Sequence, residues 1–99
     1  MDIDQHQFKL RNLHPDWSLS SEGKSITRKI RTRHFNQSLE LVTRVAEIAE
    51  TMNHHPDIAM GWGYCNISFT THSINQLSEL DFKCAEQVDA LLGSTLNQD

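Results

Sequence analysis

The chain has 99 residues, of which 37% are hydrophobic and 22% charged, and this composition predicts one globular domain over residues 1–99. Thirteen acidic side chains against nine basic ones give a formal net charge of −4, which disfavours a nucleic-acid backbone as a direct partner. Since no run approaches the roughly 18 apolar residues of a membrane span, we expect no membrane partner either.

Cysteine usage and the opening residues favour a cytoplasmic protein. Cys65 and Cys84 lie in no CxxC pattern, which is typical of free thiols in a reducing compartment. The opening segment MDIDQHQFKL has neither the basic region nor the apolar region of a secretory signal. We therefore expect a cytoplasmic location and two cysteines that serve packing.

The first third of the chain predicts a short helix and then a β-hairpin. Residues 3–13 place scattered apolar side chains among polar ones, a pattern that fits a short helix. Residues 17–33 alternate on either side of the turn Ser21-Glu22-Gly23-Lys24, which indicates two strands. The outer side of the second strand is either a solvated face or a basic patch, formed by Lys29, Arg31 and Arg33.

Residues 35–53 show the clearest helical pattern, with a wide apolar arc. One apolar stripe comprises Phe35, Leu39, Val42, Ala46 and Ala49. A second stripe, about 100° away, comprises Leu41, Val45, Ile48 and Met52. Because one stripe is enough to cover a sheet, the second packs either on another chain or under a terminal helix. Pro56 disfavours helical dihedrals at His55, which predicts that the helix ends around His54.

Two more strands and a closing helix complete the predicted fold. Residues 57–62 and 64–72 read as strands around the turn Gly61-Trp62-Gly63. Ser78 and Asp81 form the pattern of a capping box, and the helix that follows is predicted to end before Gly93. The order (α)ββαββα predicts an α+β two-layer domain, with a four-stranded, mainly antiparallel sheet and helices packed on one face.

The side chains best suited to chemistry lie at the end of the long helix and at the end of the last predicted strand. His54 and His55 lie at the first of these positions and His72 at the second, so three imidazoles can converge at one end of the sheet. Glu50 is four residues before His54, a spacing that predicts a carboxylate–imidazole hydrogen bond. Asp81 can orient His72 in the same way or act only as a helix cap. The two adjacent histidines can equally be a polar helix terminus that interacts favourably with the helix dipole.

A metal site is disfavoured by the spacing of these residues. Three histidines together with Glu50 or Asp57 would supply enough ligands for zinc. Adjacent histidines point about 100° apart on a helix, however, and the chain has no HExxH or CxxC pair. Nucleophilic catalysis is disfavoured as well, because Cys65 and Cys84 fall in apolar registers.

One set of residues resembles the signature of a known family, the pterin-4a-carbinolamine dehydratases, also called 4a-hydroxytetrahydrobiopterin dehydratases. The set is Glu50-Thr51-Met52-Asn53-His54-His55-Pro56-Asp57, followed by Thr71-His72 and then Asp81. It matches E-x3-H-H-P-[DE], a TH dipeptide ending the next strand pair, and an Asp nine residues further on. The resemblance runs from Trp17 to about Leu92. Asn75-Gln76 replaces the glycine that family members usually carry, and asparagine tolerates the same left-handed turn.

The resemblance implies an enzyme, a hydro-lyase that dehydrates 4a-hydroxytetrahydropterin to quinonoid dihydropterin in tetrahydrobiopterin recycling. It implies His54 and His72 as general acid and base, with Glu50 orienting His54 and Asp81 orienting His72. The residues that it implies for substrate binding are His55, Trp17, Asn53, Pro56 and Thr71, although Trp17 can instead be a core aromatic. It implies a small-molecule pterin substrate and no metal or organic cofactor. Assembly as a homodimer through the sheet, often paired into a homotetramer through helices, is implied too.

The sequence is also compatible with two functions that are not enzymatic. Some family members are similar to a dimerisation cofactor of a homeodomain transcription factor, a non-enzymatic, coactivator-like role. In that role the helix over residues 35–53 would be the binding surface. The second of these functions is that of a structural or regulatory subunit in pterin-dependent hydroxylase or molybdopterin-enzyme pathways. The wide apolar arc of the helix and the resemblance both predict a homo-oligomer.

Overall fold

The structure, a computed structural model, describes residues 3–95 and contains three helices and four strands within that range. The helices are α1 (Ile3–Leu10), α2 (Phe35–Met52) and α3 (Glu79–Thr95). The strands are β1 (Trp17–Leu19), β2 (Ile26–Arg31), β3 (Asp57–Gly61) and β4 (Tyr64–Phe69). A single 3₁₀ turn, His72–Ile74, lies between β4 and α3. The order of elements confirms the prediction.

The four strands form one antiparallel sheet in the order β1-β2-β4-β3. Its two central strands are β2 and β4, and the paired residues Ile30 and Cys65 are both buried. Burial alternates along both strands, so one face lies under the helices and the other faces solvent. The inward residues are Ile26, Arg28, Ile30, Cys65, Ile67 and Phe69. This confirms the α+β two-layer architecture.

The orientation of α2 corrects one expectation. Val45 and Leu41 belong to the second stripe and are 0% and 3% exposed, so this stripe faces the core of its own chain. The suggestion that it packs on another chain is wrong. The reason is that α2 contacts both the sheet and α3, and two covering surfaces need a wider arc than one. The exposed apolar residues of α2 are instead Phe35 and Leu39, at its amino-terminal half.

The ends of the helices differ slightly from the predicted ones. Helix α2 ends at Met52, and Asn53 caps it in the left-handed conformation with φ of 51°. Helix α3 runs past Gly93 to Thr95. A glycine readily ends a helix when its φ is positive. Gly93 does not have a positive φ, so the helix continues through it. Gly63, whose φ is 88°, makes the predicted turn between β3 and β4.

The outer face of the sheet is open to solvent. Lys29 and Arg31 are exposed there, on the side of β2 opposite the core. Within residues 3–95, no helix has the length and apolar character needed to cross a lipid bilayer.

Candidate active site

Three chain segments meet at one end of the sheet and bring the predicted site residues into one region. The first follows α2, where the left-handed turn at Asn53 reverses the chain and the N–H of His54 donates to the carbonyl of Ala49 at 3.0 Å. The second is the end of β4, which leads through Thr71 into the 3₁₀ turn. The third is the first turn of α3, which carries Asp81. Side-chain contacts among these segments define the candidate site.

The central contact joins the imidazole of His54 to the carboxylate of Asp81. Nε2 of His54 lies 2.5 Å from Oδ1 of Asp81, and the two side chains are 11% and 0% exposed. An ionised carboxylate only accepts hydrogen bonds, so Nε2 carries the proton in the neutral ring and Nδ1 keeps its lone pair. No described residue bonds to Nδ1. Nδ1 of His54 is therefore able to accept a hydrogen bond from a bound molecule.

Two further hydrogen bonds hold the Asp81 carboxylate in place. Its Oδ2 accepts from the hydroxyl of Thr71 at 2.7 Å and from the backbone N–H of Ser78 at 2.9 Å. The bond to Ser78 is the reciprocal half of a capping box, which confirms that Asp81 caps α3. These donors stabilise a buried negative charge and fix its direction. The cap and the partner of His54 are therefore the same side chain.

A second carboxylate–imidazole pair lies on the surface beside the first. Nε2 of His55 forms a hydrogen bond with Oε2 of Glu50, and the two side chains are 57% and 76% exposed. The prediction that Glu50 contacts His54 is wrong. Four-residue spacing brings side chains together only when both residues are helical, and the left-handed Asn53 interrupts the helix. His54 turns towards α3 and His55 towards the last turn of α2.

His72 lies in the 3₁₀ turn directly after Thr71 and is exposed. The implied contact between Asp81 and His72 is wrong, because within residues 3–95 that carboxylate bonds to His54, Thr71 and Ser78. The turn is closed by Asn75, whose φ of 52° confirms that asparagine adopts the left-handed conformation there. His72 is thereby held on the segment that also holds the Asp81 carboxylate.

Comparisons with known proteins identify the family. The family model described as Pterin 4 alpha carbinolamine dehydratase matches residues 1–91. A protein of Halorhodospira halophila named "Putative pterin-4-alpha-carbinolamine dehydratase" is 46% identical over 77 residues, which cover 78% of this chain and 71% of that protein. A Legionella pneumophila protein of the same name is 35% identical over 92 residues, covering 91% of this chain and 81% of that protein. The chain belongs to the pterin-4a-carbinolamine dehydratase family.

Solved structures show the same fold. The crystal structure of a transcriptional coactivator/pterin dehydratase from Brucella melitensis superposes with a TM-score of 0.85 at 26% identity, covering 92% of this chain and 96% of that one. A pterin dehydratase-like protein described as a RuBisCO assembly factor in the alpha-carboxysome gives a TM-score of 0.68 at 23% identity, covering 81% and 93%. The second likeness concerns the fold alone. The predicted family and fold class are both confirmed.

The residues that family resemblance implied for pterin binding lie in different environments. Asn53 is exposed at the end of α2, Pro56 is half-buried, and Thr71 is engaged with Asp81. Trp17 is only 5% exposed and belongs to the core, so its burial agrees with the alternative of a core aromatic. Their contact with a pterin stays a prediction.

One residue near the site was not identified from the sequence as a candidate. The ring of Phe69, the last residue of β4, lies nearly parallel to the imidazole of His54, with centroids 6.1 Å apart. The sequence did indicate that Phe69 faces the core, because it lies in the inward register of a strand that ends three residues before His72. That register predicts burial but not the partner across the core.

The two thiols take no part in the site contacts. Cys65 and Cys84 are buried and form no disulfide, which confirms their assignment to packing. Burial raises the pKa of the Cys65 thiol. Burial and, secondarily, the charge of Asp81 raise the pKa of Cys84 to about 11. Within residues 3–95, no cluster of three or more His, Cys, Asp or Glu side chains has the arrangement of a metal site.

Proposed function

We propose that this protein is a 4a-hydroxytetrahydropterin dehydratase that forms quinonoid dihydropterin and water, in tetrahydrobiopterin recycling. The observation that carries the proposal is the pair of a nearly buried His54 and a fully buried Asp81, 2.5 Å apart, in a chain of the dehydratase family. A buried carboxylate that fixes one nitrogen of an imidazole directs the other nitrogen for proton transfer.

The reaction needs two proton transfers. The departing 4a-hydroxyl takes up a proton as its C–O bond breaks, and N5 of the ring loses a proton as the C4a–N5 double bond forms. Histidine suits both steps because its ordinary pKa lies near neutral pH. We assign these transfers to His54 and His72, since each is within or directly beside the hydrogen-bonded cluster around Asp81. A well-placed proton transfer accelerates a reaction roughly 10²–10⁴-fold.

His55 has a different proposed task. Its ring is held by Glu50 on the surface, where a carboxylate partner keeps it in one orientation. We assign His55 chiefly to binding the pterin, with Glu50 as its positioning residue. Glu50 is therefore proposed to position His55 rather than His54.

We also propose that the reaction uses neither metal nor organic cofactor, with the pterin as substrate. The argument is chemical, because eliminating water from a carbinolamine requires a proton donor and a proton acceptor but no electron carrier. Exhaustive chelation should leave the rate unchanged. A rate that is abolished by chelation and restored by zinc would contradict this assignment.

The direct test is the dehydration of freshly generated 4a-hydroxytetrahydropterin, followed by absorbance with and without the protein. Because the carbinolamine also dehydrates unaided, the uncatalysed rate must be subtracted at each pH. We expect a catalysed rate proportional to protein concentration. A rate equal to the uncatalysed one at micromolar protein would refute the proposal.

A second candidate function is a non-enzymatic binding role. Phe35 and Leu39 leave 47% and 48% of their surface exposed on α2, and the Brucella relative is described as a transcriptional coactivator as well as a dehydratase. The two functions use different residues. His54→Ala should lower the catalysed rate at least about tenfold and leave partner binding intact, whereas Leu39→Asp should weaken partner binding and leave the catalysed rate intact.

A further inference from the structure

Phe69 presents a flat, rigid surface to the imidazole of His54. The two rings are nearly parallel, with an interplanar angle of 12° and centroids 6.1 Å apart, which is the geometry of an offset stack. Phe69 is 0% exposed, so the surrounding core determines the orientation of its ring. The imidazole of His54 therefore has a nearly parallel, buried ring as its neighbour and the Asp81 carboxylate bonded at its edge.

Trp17 extends this row of rings. Its ring centroid lies 6.2 Å from that of Phe69, at an interplanar angle of 39°. The indole N–H of Trp17 donates to Oδ1 of Asp89 at 2.7 Å. Asp89 and Asp81 both belong to α3, so one helix anchors the row Trp17, Phe69, His54 at its two ends.

The stack supplies a constraint that the hydrogen bond lacks. One bond at Nε2 leaves the imidazole able to pivot about the line from Nε2 to Oδ1, and such a pivot moves Nδ1. A parallel ring packed beside the imidazole opposes that pivot. Proton transfer is sensitive to displacements of about 1 Å, so the direction of Nδ1 matters for the rate.

We propose that Phe69 is a positioning residue that acts with Asp81 to hold the imidazole of His54, so that Nδ1 faces the substrate. The inference rests on the proposed dehydratase function, because a fixed Nδ1 affects the rate only if His54 transfers a proton. Trp17 acts indirectly, because its ring lies beside that of Phe69 and keeps it in its orientation.

The kinetic test compares Phe69→Leu with a matched core variant. Ile67→Val is the control, because Ile67 lies on the same face of β4 and is also 0% exposed. We expect Phe69→Leu to lower kcat about tenfold or more with KM changed less than about threefold, since the ring is lost but no substrate contact is. The control should keep kcat within about twofold. If Phe69→Leu fails to fold, Phe69→Met replaces it, because methionine fills the same space without a plane.

A substrate-free measurement separates positioning from mere stability. ¹⁵N NMR of the histidine rings reports which nitrogen of His54 is protonated in the neutral form. In the unmodified protein and in Ile67→Val, we expect distinct signals for a protonated Nε2 and an unprotonated Nδ1. In the Phe69 variants the two signals should move towards each other, because a ring that pivots also bends its Nε2–H bond to Asp81 and the two neutral tautomers then exchange.

The outcomes are distinguishable. Wild-type kcat in the Phe69 variants, or a lower kcat with unchanged ring-nitrogen signals, would overturn the positioning role. An equal loss of kcat in Ile67→Val would overturn it too, because the effect would then follow core stability. If the ring signals respond as expected but the unmodified protein shows no dehydration, the positioning of His54 stands and the dehydratase function fails.

Discussion

At the scale of single residues, His54 and His72 differ in how the fold holds them. His54 is 11% exposed and tied to Asp81, whereas His72 is exposed on a 3₁₀ turn and its ring has no hydrogen bond within residues 3–95. Loss of the His54 side chain removes a buried hydrogen bond, whereas loss of the His72 side chain removes only exposed surface. The two should therefore respond differently to substitution.

Alanine at each histidine separates catalysis from stability. His72→Ala should lower the catalysed dehydration rate at least about tenfold. Its free energy of unfolding should stay within about 0.5 kcal/mol of wild type, because the side chain is exposed. His54→Ala should lower the rate at least as much and also destabilise the fold by about 1–3 kcal/mol, since Asp81 loses a buried donor. Stopped-flow assays and urea unfolding measure the two effects, and near-wild-type rates in both variants would rule out the assigned roles.

The raised pKa of Cys84 predicts how the stability of the fold changes at alkaline pH. The folded-state pKa of its thiol is raised from 9.0 to about 11, so the unfolded chain loses this proton first as pH rises. The contribution to stability is full below pH 9 and is lost as pH approaches 11, by at most about 1–3 kcal/mol. Urea unfolding at intervals from pH 8 to pH 11 should show this loss in wild type. The slope should be smaller in Cys84→Ala, and equal slopes in the two proteins would contradict the shift.

At the scale of elements, the end of α2 determines which histidine meets which carboxylate. Asn53 takes φ of 51°, and its N–H bonds to the carbonyls of Ala49 and Glu50. This cap ends the helix, and the side chains of His54 and His55 beyond it point to different partners. The geometry of the site thus depends on a backbone conformation as much as on side chains.

Substitutions at Asn53 test that dependence. Asn53→Gly should keep the fold and kcat, because glycine adopts positive φ without strain. Only KM should change, since Asn53 is among the residues implied for pterin binding. Asn53→Ala should cost about 1 kcal/mol in unfolding free energy, since an alanine side chain disfavours the left-handed region. We also expect its catalysed rate to fall further than its stability explains, because the pairing of Glu50 with His55 depends on the same turn. An Asn53→Ala protein with a wild-type rate would show that the cap does not position the site.

At the scale of the whole molecule, the chain leaves surface that a second copy could cover. Strands β1 and β3 lie at the two edges of the sheet, and edge strands have backbone donors and acceptors without strand partners. Phe35 and Leu39 add exposed apolar area on α2. These features, with the family's mode of assembly, predict a homodimer or homotetramer.

Sedimentation tests the oligomer, and two variants of α2 locate its surface. Leu39→Asp changes an exposed position, so the subunit should stay folded and sediment as a smaller assembly if that surface is covered. Val45→Asp places a charge at a 0% exposed position, so the subunit should unfold. The prediction fails if the unmodified protein sediments as an 11.4 kDa monomer at micromolar concentration.

The sequence by itself determined the order of the elements, the outward face of β2, the capping-box pattern of Ser78 and Asp81, and the family, although it placed the end of β4 at His72 rather than at Phe69. These properties follow from local periodicity and short motifs, which depend on residues a few positions apart. The tertiary structure alone decided that Asp81 meets His54, that Glu50 meets His55, and which apolar stripe of α2 faces the core. Spacing rules assume a continuous helix, and the left-handed turn at Asn53 removed that assumption for the two histidines that follow it. The stack of Phe69 on His54 joins residues from β4 and the end of α2, and no pattern along the chain specifies such a contact before both elements pack.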